Sequence, residues 1–335
     1  MSTDTVRVGL NGFGRIGRNV FRAALDNDAV EIVGINDVME DEEIEYLAKY
    51  DSVMGRLDGA SLDDGTLTVE GTDFEAGVFH ETDPTQLPWD ELDVDVAFEA
   101  TGIFRSHEDA SQHLDAGANK VVISAPPKGD TPVKQLVYGV NHDEYDGEAV
   151  VSNASCTTNS ITPVAKVLNE EFGIESGQLT TVHAYTGTQN LVDGPNSKPR
   201  RRRAAAENII PTTTGAAQAA TEVLPDLEGK LDGMAMRVPV PDGSITEFVF
   251  TLEEDATESD INAAFEDAAA GELEGVLGVS HDAIVSRDVL GQPYSTLVDL
   301  ENTNVVNGLV KVLTWYDNEF GFANRMLDLA THIDE

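Results

Sequence analysis

The chain has 335 residues, with 61 Asp and Glu against 21 Lys and Arg, so its formal net charge at pH 7 is −40. This length predicts about two domains, and a hydrophobic content of 41% is enough for folded cores and excludes an acidic disordered chain. A surface this negative repels phosphate backbones and anionic lipids, so we expect no nucleic-acid partner and no membrane partner.

The N-terminus and the cysteine content bear on where the protein works. Met1–Asp4 is not a basic segment followed by an apolar stretch, so we expect no signal peptide. No apolar run reaches the roughly 18–20 residues that span a bilayer. Cys156 is the only cysteine, which excludes disulfides within the chain and fits a reducing compartment. We therefore predict a cytoplasmic protein.

The negative charge is distributed along the whole chain. Residues 1–155 carry 32 acidic and 10 basic residues, residues 156–335 carry 29 and 11, and there is no acidic tail. No D-x-[DN]-x-[DN]-G calcium loop is present, and we expect no metal site. At about 1 M salt the Debye length falls to about 3 Å, so self-repulsion is screened. The even spread favours adaptation to a salt-rich cytoplasm over an interaction tail or a cation store.

The N-terminal segment predicts a strand, a turn, a helix and a second strand. Residues 5–10 are short and β-branched at their start, which is typical of a buried strand. The sequence Gly12-Phe13-Gly14-Arg15-Ile16-Gly17 follows, and apolar residues at helical spacing continue from Ile16 to Leu25. The segment 30–35 predicts the second strand, which stops at Asn36-Asp37.

The remaining secondary-structure pattern predicts two domains, one with alternating strands and helices and one rich in strands. Strands at 94–99 and 120–124, with a helical segment at 110–116 between them, indicate an α/β, doubly wound parallel-sheet (Rossmann) domain over residues 1–155. From 156 to 318, β-rich segments at 238–252 and 305–316 predict an α+β domain with a mainly antiparallel sheet. Residues 318–333 predict a helix whose apolar face carries Phe322, Met326, Leu329 and Ile333.

The glycine-rich turn predicts a dinucleotide site. Gly12, Gly14 and Gly17 form a G-x-G-x-x-G between a predicted strand and a predicted helix, and Asp37 comes twenty residues after Gly17. Glycines let the backbone approach a pyrophosphate, and a helix N-terminus offers free N–H groups. The Asp37 carboxylate can accept a hydrogen bond from a ribose 2′-hydroxyl and repels a 2′-phosphate, which favours NAD, with NADP as a weaker alternative. The competing interpretation is a glycine turn without a ligand.

Cys156 is placed at the predicted start of a helix. Ser155 before it is a candidate N-cap, and the first helical turn favours a thiolate. A buried structural cysteine is the alternative. His183 follows a predicted strand, and beside the thiol it could form a thiolate–imidazolium couple, although a lone histidine is more often structural.

Four consecutive arginines, Arg200–Arg203, stand out in so acidic a chain. Such a run can indicate nucleic-acid binding or a targeting signal, but the negative field of the remaining chain opposes the first. Because a guanidinium binds phosphate bidentately and keeps its charge when partly buried, we favour a local anion site or an intersubunit contact.

Eight segments in order resemble phosphorylating glyceraldehyde-3-phosphate dehydrogenase of the bacterial type, and the likeness runs essentially from end to end. They are Asn11–Arg18, Lys49–Val53, Glu99–Gly102, Ser152–Asn159, His183–Thr186, Thr213–Ala217, Met236–Pro239 and Trp315–Glu319. The resemblance implies an NAD-binding domain at 1–155, a catalytic domain at 156–318, and a C-terminal helix at 319–335 that returns to the first domain. It also implies a homotetramer in which the arginine-containing loop makes subunit contacts.

The resemblance further implies an activity, namely the reversible oxidative phosphorylation of glyceraldehyde 3-phosphate in glycolysis and gluconeogenesis. The Cys156 thiolate would form a hemithioacetal and then a thioester, with His183 as the base. Thr186 and Arg237 match positions that bind the phosphate of the substrate. The positions that bind the attacking inorganic phosphate are matched by Ser155, Thr157, Thr214 and Gly215, with Arg201 nearby. Further NAD contacts are matched by Arg15, Ile16, Asp37, Ser124 and Asn318.

Two alternatives to this activity differ in chemistry. Erythrose-4-phosphate dehydrogenase resembles the family closely but makes a free acid and needs no attacking phosphate, and Thr213-Thr214-Gly215 favours the phosphorylating enzyme over it. A non-catalytic nucleotide- or RNA-binding protein on the same fold is the other alternative, against which the pair of Cys156 and His183 argues. One departure from some relatives is Thr188, where they carry an aspartate beside the substrate phosphate.

Overall fold

The computed structural model of the chain describes residues 5–334, so the N-terminal segment on which the signal-peptide expectation rests lies outside the described residues. The described part forms two compact units. The first contains residues 5–138, 142–155 and 323–334, and the second contains residues 139–141 and 156–322. Among these residues, no helix is both long enough and apolar enough to cross a membrane.

The first unit is built on a sheet with helices between its strands. Its strands are β1 Val6–Asn11, β2 Val30–Asn36, β3 Tyr50–Asp51, β4 Gly55–Arg56, β5 Ala60–Asp63, β6 Thr66–Val69, β7 Glu75–Phe79, β8 Val96–Glu99, β9 Lys120–Ile123, β10 Lys134–Gln135 and β11 Val150–Ser152. Its helices are α1 Arg15–Ala24, α2 Asp41–Lys49, α3 His107–Ala110 and α4 Gln112–Asp115. Within the described residues, nine strands form one sheet in the order β10-β11-β9-β8-β1-β2-β7-β6-β5, and β3 pairs with β4 apart from it.

This sheet is the predicted doubly wound one. The pairs from β10 to β7 are parallel, and the antiparallel pairs β6–β7 and β5–β6 extend one side. The central strand β1 has β2 on one side and β8 on the other, so the chain order reverses across it. In sheets of this kind, the carboxyl ends of the strands at such a reversal form the ligand-binding crevice.

Two predicted boundaries in this unit are corrected. The strand expected at 94–99 begins at Val96, and the helix expected at 110–116 is divided into α3 and α4. The interruption is at Ser111, whose hydroxyl donates to the His107 carbonyl at 2.6 Å. A serine that bonds to the backbone in this way competes with regular helix geometry.

The second unit is built on a mixed sheet. Its strands are β12 Ile174–Ala184, β13 Ile210–Thr213, β14 Leu231–Val238, β15 Ser244–Leu252, β16 Leu277–Ser280, β17 Thr296–Asp299, β18 Asn304–Val306 and β19 Leu309–Tyr316. Among the residues described, seven follow the order β13-β14-β12-β15-β19-β17-β16, and β18 pairs with β19. The pairs β12–β14 and β16–β17 are parallel and the others antiparallel, which confirms a mainly antiparallel sheet.

The β-rich segment predicted at 238–252 contains the last residue of β14, a loop and the whole of β15. Strand β14 ends at Val238 and β15 begins at Ser244. Pro239 and Pro241 lie between them and cannot donate to a ladder, and Gly243 takes a φ of +84°, where a side chain is unfavourable. The result is a tight connection, the 239–243 loop, between two strands that each carry site residues.

The remaining helices are α5 Cys156–Phe172, α6 Ala216–Val223, α7 Glu258–Ala270 and α8 Phe320–Asp334. Helix α5 starts at Cys156 as expected and continues through Pro163. Helix α8 confirms the amphipathic tail, because all four residues of its predicted apolar face are buried. Glu335 lies outside the described residues.

Candidate active site

The glycine-rich turn joins the end of β1 to the start of α1. A side chain is excluded at two of its three glycines, and for different reasons. Gly12 has a φ of +102°, and a Cβ there would lie 2.7 Å from the Thr101 nitrogen. A Cβ on Gly17 would lie 1.9 Å from the Gly12 carbonyl oxygen. A Cβ on Gly14 would meet no atom within 4 Å, and no side chain caps α1. The turn is therefore tight within the protein and open at Gly14, where Arg15 and Ile16 begin the helix, as a bound pyrophosphate requires.

Asp37 and Ser124 lie at the carboxyl ends of strands in the same sheet. Asp37 follows β2, and its two carboxylate oxygens accept hydrogen bonds from the backbone N–H groups of Phe13 (2.7 Å) and Met39 (3.1 Å). Ser124 follows β9, and its N–H donates to the Glu99 carbonyl at 3.0 Å. Asp37 thus fixes the glycine-rich turn relative to the next strand while facing the edge where a ribose would bind.

A buried polar network beneath this turn was missed by the sequence reasoning. The Asn11 amide donates to the Glu99 carboxylate at 2.6 Å, and the other Glu99 oxygen accepts from the Thr101 N–H at 2.8 Å. Trp89 Nε1 donates to His113 Nδ1 at 3.1 Å, so the His113 proton lies on Nε2, which faces Glu99 at 3.3 Å. Trp89 and His113 are isolated residues in buried segments, and no motif or periodicity marks them.

The thiol and the imidazole are brought together in the second unit. Cys156 is the first residue of α5 and His183 the penultimate residue of β12, and Cys156 Sγ lies 3.5 Å from His183 Nε2. His183 Nδ1 lies 2.7 Å from the Ala184 carbonyl oxygen. The Ala184 carbonyl can only accept, whereas Arg237 Nη1, 3.0 Å from the same Nδ1, can only donate. The shorter carbonyl contact favours the ring proton on Nδ1, and the Nε2 lone pair then faces the thiol. His183 is therefore arranged as a base toward Cys156.

The pKa shifts at the two groups do not favour the thiolate–imidazolium couple that the sequence suggested. Burial raises the pKa of the Cys156 thiol, and the Arg237 charge and a hydrogen bond from Thr157 only partly oppose it. Burial, followed by repulsion from Arg237, lowers the pKa of His183 to about 3. Both shifts favour a thiol beside a neutral imidazole over the charged pair, because burial disfavours the charged form of each group.

Arg237 is an unpaired cation beside this pair. It lies in β14 opposite His183 in the parallel register with β12. Its Nη1 donates to the Ala184 carbonyl at 2.8 Å and to Thr186 Oγ1 at 3.5 Å, whereas its buried Nε has no hydrogen-bond partner. Within residues 5–334, neither Arg237 nor Arg201 forms an ion pair with an acidic side chain. A buried guanidinium without an acidic partner among these residues suits the binding of an anion.

The four-arginine run is divided by the structure. Arg201 is half-buried, and it donates through Nε to Thr212 at 3.1 Å and through Nη1 to Thr188 at 3.4 Å. Thr188 in turn lies 2.9 Å from Thr186, so Arg201 and Arg237 are linked through two hydroxyls. Arg203 instead forms an exposed ion pair with Asp193 at 2.7 Å. One member of the run therefore faces the site, and Thr188 is part of the same cluster.

The second predicted phosphate pocket continues from this cluster along the chain. Lys198 Nζ donates to Thr213 Oγ1 at 3.0 Å. The next residues, Thr214 and Gly215, directly precede α6, and Thr214 Oγ1 accepts the Ala216 N–H at 3.1 Å. An exposed glycine at a helix N-terminus leaves backbone donors for an anion. Lys198 was not among the predicted residues.

The N-terminal end of α5 adds two of the predicted residues. Ser155 directly precedes the helix, and Thr157 Oγ1 lies 4.0 Å from Cys156 Sγ and 3.1 Å from the Tyr316 hydroxyl. Tyr316 was also not among the predicted residues.

Asn318 is held at the same end of the second sheet. Its side-chain oxygen accepts a hydrogen bond from Ser244 Oγ at 2.6 Å, and Ser244 Oγ accepts one from the Ala184 N–H at 3.1 Å. Ser244 therefore connects Asn318 to the strand end that carries His183. Among residues 5–334, no group of three or more His, Cys, Asp or Glu is arranged to hold a metal ion.

Two family models match most of the chain. The model described as "Glyceraldehyde 3-phosphate dehydrogenase, NAD binding domain" matches residues 6–107, and the one described as "Glyceraldehyde 3-phosphate dehydrogenase, C-terminal domain" matches residues 155–318. The chain belongs to the glyceraldehyde 3-phosphate dehydrogenase family. Glyceraldehyde-3-phosphate dehydrogenase of Haloarcula vallismortis is 82% identical over the full length of both chains. Those of Geobacillus stearothermophilus and Salmonella typhimurium are 52% and 50% identical over at least 98% of each chain.

This member of the glyceraldehyde 3-phosphate dehydrogenase family concentrates its reactive groups in the second unit. A thiol, a neutral base and two cations without acidic partners lie in one connected set of contacts, which suits addition of a nucleophile to the carbonyl of an anionic substrate. The first unit supplies an open glycine turn and a strand-end carboxylate, which suit a dinucleotide. Family membership assigns an NAD-dependent oxidoreductase.

Proposed function

We propose that the protein catalyses the reversible oxidative phosphorylation of D-glyceraldehyde 3-phosphate to 1,3-bisphosphoglycerate, with NAD and inorganic phosphate, in glycolysis and gluconeogenesis. The observation that carries the proposal is the 3.5 Å contact of Cys156 Sγ with the unprotonated His183 Nε2, beside the uncompensated guanidinium of Arg237. A nucleophile, a base and a candidate phosphate-binding cation therefore lie close enough together to act on one phosphorylated aldehyde.

The proton of the thiol and the proton of the adduct both pass through His183 Nε2. As Sγ attacks the aldehyde carbon, the thiol proton moves to Nε2, and the imidazolium returns it to the new oxyanion to give a hemithioacetal. Nε2 then takes the hydroxyl proton as the thioester forms. Throughout, the Ala184 carbonyl holds Nδ1–H and keeps the tautomer fixed. The Cys156 N–H, at the start of α5, is placed to stabilise the oxyanion.

The geometry of the first unit fits NAD. The cofactor would be held by Gly12, Gly14, Arg15, Ile16, Gly17, Asp37 and Ser124, and Asn318 matches a position that contacts the cofactor in the family. When bound, NAD supplies the acceptor for the hydride that leaves the hemithioacetal carbon. The Asp37 carboxylate accepts ribose hydroxyls and disfavours the 2′-phosphate of NADP.

Two anion sites serve the two phosphates. Thr186 and Arg237 would bind the phosphate of the substrate. Ser155, Thr157, Thr214, Gly215 and Arg201 would bind the inorganic phosphate, which attacks the thioester. The thiolate leaves as the acyl phosphate forms, and the imidazolium of His183 reprotonates it.

We further propose a cytoplasmic homotetramer with NAD-binding, catalytic and C-terminal segments at 1–155, 156–318 and 319–335. A lone thiol nucleophile needs a reducing compartment. Leu191 and Val192, which are 83% and 71% exposed, precede the arginine run on the same loop, and such an apolar patch supports a subunit contact. The even negative charge and the haloarchaeal relative support adaptation to high salt.

A steady-state assay at high KCl tests the activity. NADH formation from glyceraldehyde 3-phosphate should require inorganic phosphate and should be much slower with NADP than with NAD. Phosphate-independent turnover to the free acid would contradict the proposal and would favour the erythrose-4-phosphate type of chemistry.

A further inference from the structure

Three carboxyl groups are buried together around the turn that carries Asn318. Asp242 and Asp317 are each 2% exposed, and Glu319 is 8% exposed. Asp317 is fully supplied with donors, because its carboxylate accepts the N–H groups of Gly291 (2.8 Å), Glu319 (2.9 Å) and Phe320 (2.7 Å). Three backbone donors suit an ionised carboxylate, and this one closes the start of α8.

Asp242, in the 239–243 loop, is in the opposite situation. Its Oδ1 accepts the Gly243 N–H at 2.8 Å, but its buried Oδ2 receives no hydrogen bond from the described residues. Its carboxyl group lies close enough to that of Asp317 for the two to share a proton. Two carboxylates cannot share a hydrogen bond without a proton. Since Asp317 already accepts three backbone donors, the proton belongs to Asp242.

The charged groups around Asp242 all favour this neutral form. Burial, then the charges of Asp317 and Glu319, raise the pKa of Asp242 to about 9. The segment that packs on Gly243 contributes the Ser286 carbonyl, and its charged residues Arg287 and Asp288 are exposed to solvent. Cys156 is also within electrostatic range, because an ionised Asp242 raises the pKa of the thiol.

We propose that Asp242 is a positioning residue that works as a protonated acid, donating its proton to Asp317 and holding the 239–243 loop against the turn that presents Asn318. Ser244, the next residue after the loop, links the position of the loop to that of its hydrogen-bond partners. Ser244 donates to Asn318 and accepts from Ala184, so the loop sets both the Asn318 amide and the strand end of His183. The proposal rests on the proposed assignment of Asn318 as a cofactor contact.

Ionisation of Asp242 would place a second buried negative charge beside Asp317 and separate the loop from the turn. Two effects follow as the pH rises through the pKa of Asp242. NAD binding weakens because Asn318 loses its fixed position, and the thiol of Cys156 becomes harder to ionise. Because the folded-state pKa lies above that of an unfolded aspartate, the stability that Asp242 contributes is complete at acid pH and is lost as the pH rises.

The variant Asp242→Asn keeps a hydrogen-bond donor toward Asp317 but cannot ionise. It therefore distinguishes the effect of the donated hydrogen bond from the effect of the negative charge. In the wild type, the KM for NAD should rise between about pH 7 and about pH 10, where such a raised aspartate titrates, and in Asp242→Asn this rise should be absent. Asp242→Ala, which has no donor, should raise the KM about fivefold at every pH, the worth of one typical hydrogen bond. The exposed Asp282→Asn is the matched control and should behave as the wild type.

Two measurements do not depend on the reaction. The infrared band of a protonated carboxylic acid should be present near neutral pH and absent in Asp242→Asn. That variant should also melt at a higher temperature than the wild type in alkaline buffer at high KCl, but not at acid pH. A missing band, or an NAD affinity that Asp242→Asn lowers as much as Asp242→Ala, would overturn the proposal. If only the dehydrogenase assignment failed, the band and the melting difference would remain.

Discussion

Removing the charge of Arg237 tests the anion site most directly. The guanidinium reaches Thr186 and Ala184, has a free buried Nε, and forms no ion pair among residues 5–334, so its strong partner would be the phosphate of the substrate. A hydrogen bond to a charged group contributes about 1.5–3 kcal/mol, so Arg237→Gln should lower kcat/KM for glyceraldehyde 3-phosphate by about 10- to 150-fold.

The same variant also perturbs catalysis, because Arg237 lies 3.0 Å from His183 Nδ1 and lowers the pKa of that ring. Unphosphorylated glyceraldehyde separates the two effects. The change at His183 is common to both substrates, whereas the lost phosphate contact applies only to the phosphorylated one. The ratio of the two kcat/KM values should therefore fall by the full factor. Arg203→Gln, which removes an exposed guanidinium paired with Asp193, is the matched control. An equal loss of kcat/KM for both aldehydes would refute the assignment of Arg237 to the substrate phosphate.

Four further outcomes are expected. Cys156→Ser should abolish dehydrogenase activity and leave NAD binding by calorimetry nearly unchanged, and full retained activity would exclude Cys156 as the nucleophile. Because burial raises its pKa, alkylation of Cys156 by neutral iodoacetamide should keep accelerating with pH beyond the ordinary thiol range, whereas a plateau near neutral pH would indicate a stabilised thiolate. His113→Leu leaves Trp89 Nε1 without its acceptor and removes one of the donors to Glu99, so it should lower the free energy of unfolding by about 1–3 kcal/mol in chemical denaturation. An unchanged value would mean that the network is not stabilising. Lowering KCl from about 1 M to about 0.1 M lengthens the Debye length from about 3 Å to about 10 Å and should inactivate or dissociate the protein, and undiminished activity in dilute buffer would contradict salt adaptation.

The parts of the fold and site that depend on local sequence could be predicted. Gly12, Gly17 and Asp37 are close together in the chain. A strand–turn–helix unit fixes where each of them lies, so their positions follow from the local sequence. The start of α5 at Cys156 is also a local signal. These features lie where the pattern placed them.

The contacts that connect distant residues could not be derived from spacing. The parallel register of β12 with β14 brings Arg237 beside His183, although 54 residues separate them, and the charge of Arg237 adds to burial in lowering the pKa of His183. The sequence suggested a thiolate from the helix dipole alone, and it gave no means to weigh burial against that dipole. Asp242 was likewise one acid among many until its neighbours were known.

The uncompensated guanidinium of Arg237 has a consequence for selectivity in the medium that the acidic surface indicates. In near-molar KCl, chloride competes with other anions for positive groups, including a buried guanidinium without a carboxylate partner. Chloride is a single sphere of charge, whereas a phosphate ester presents several oxygens to a planar fork of donors and to the hydroxyls of Thr186 and Thr188. Discrimination between the two anions thus rests on the number and direction of donors rather than on charge. A dehydrogenase of such a medium must recognise its substrate by the shape of the anion.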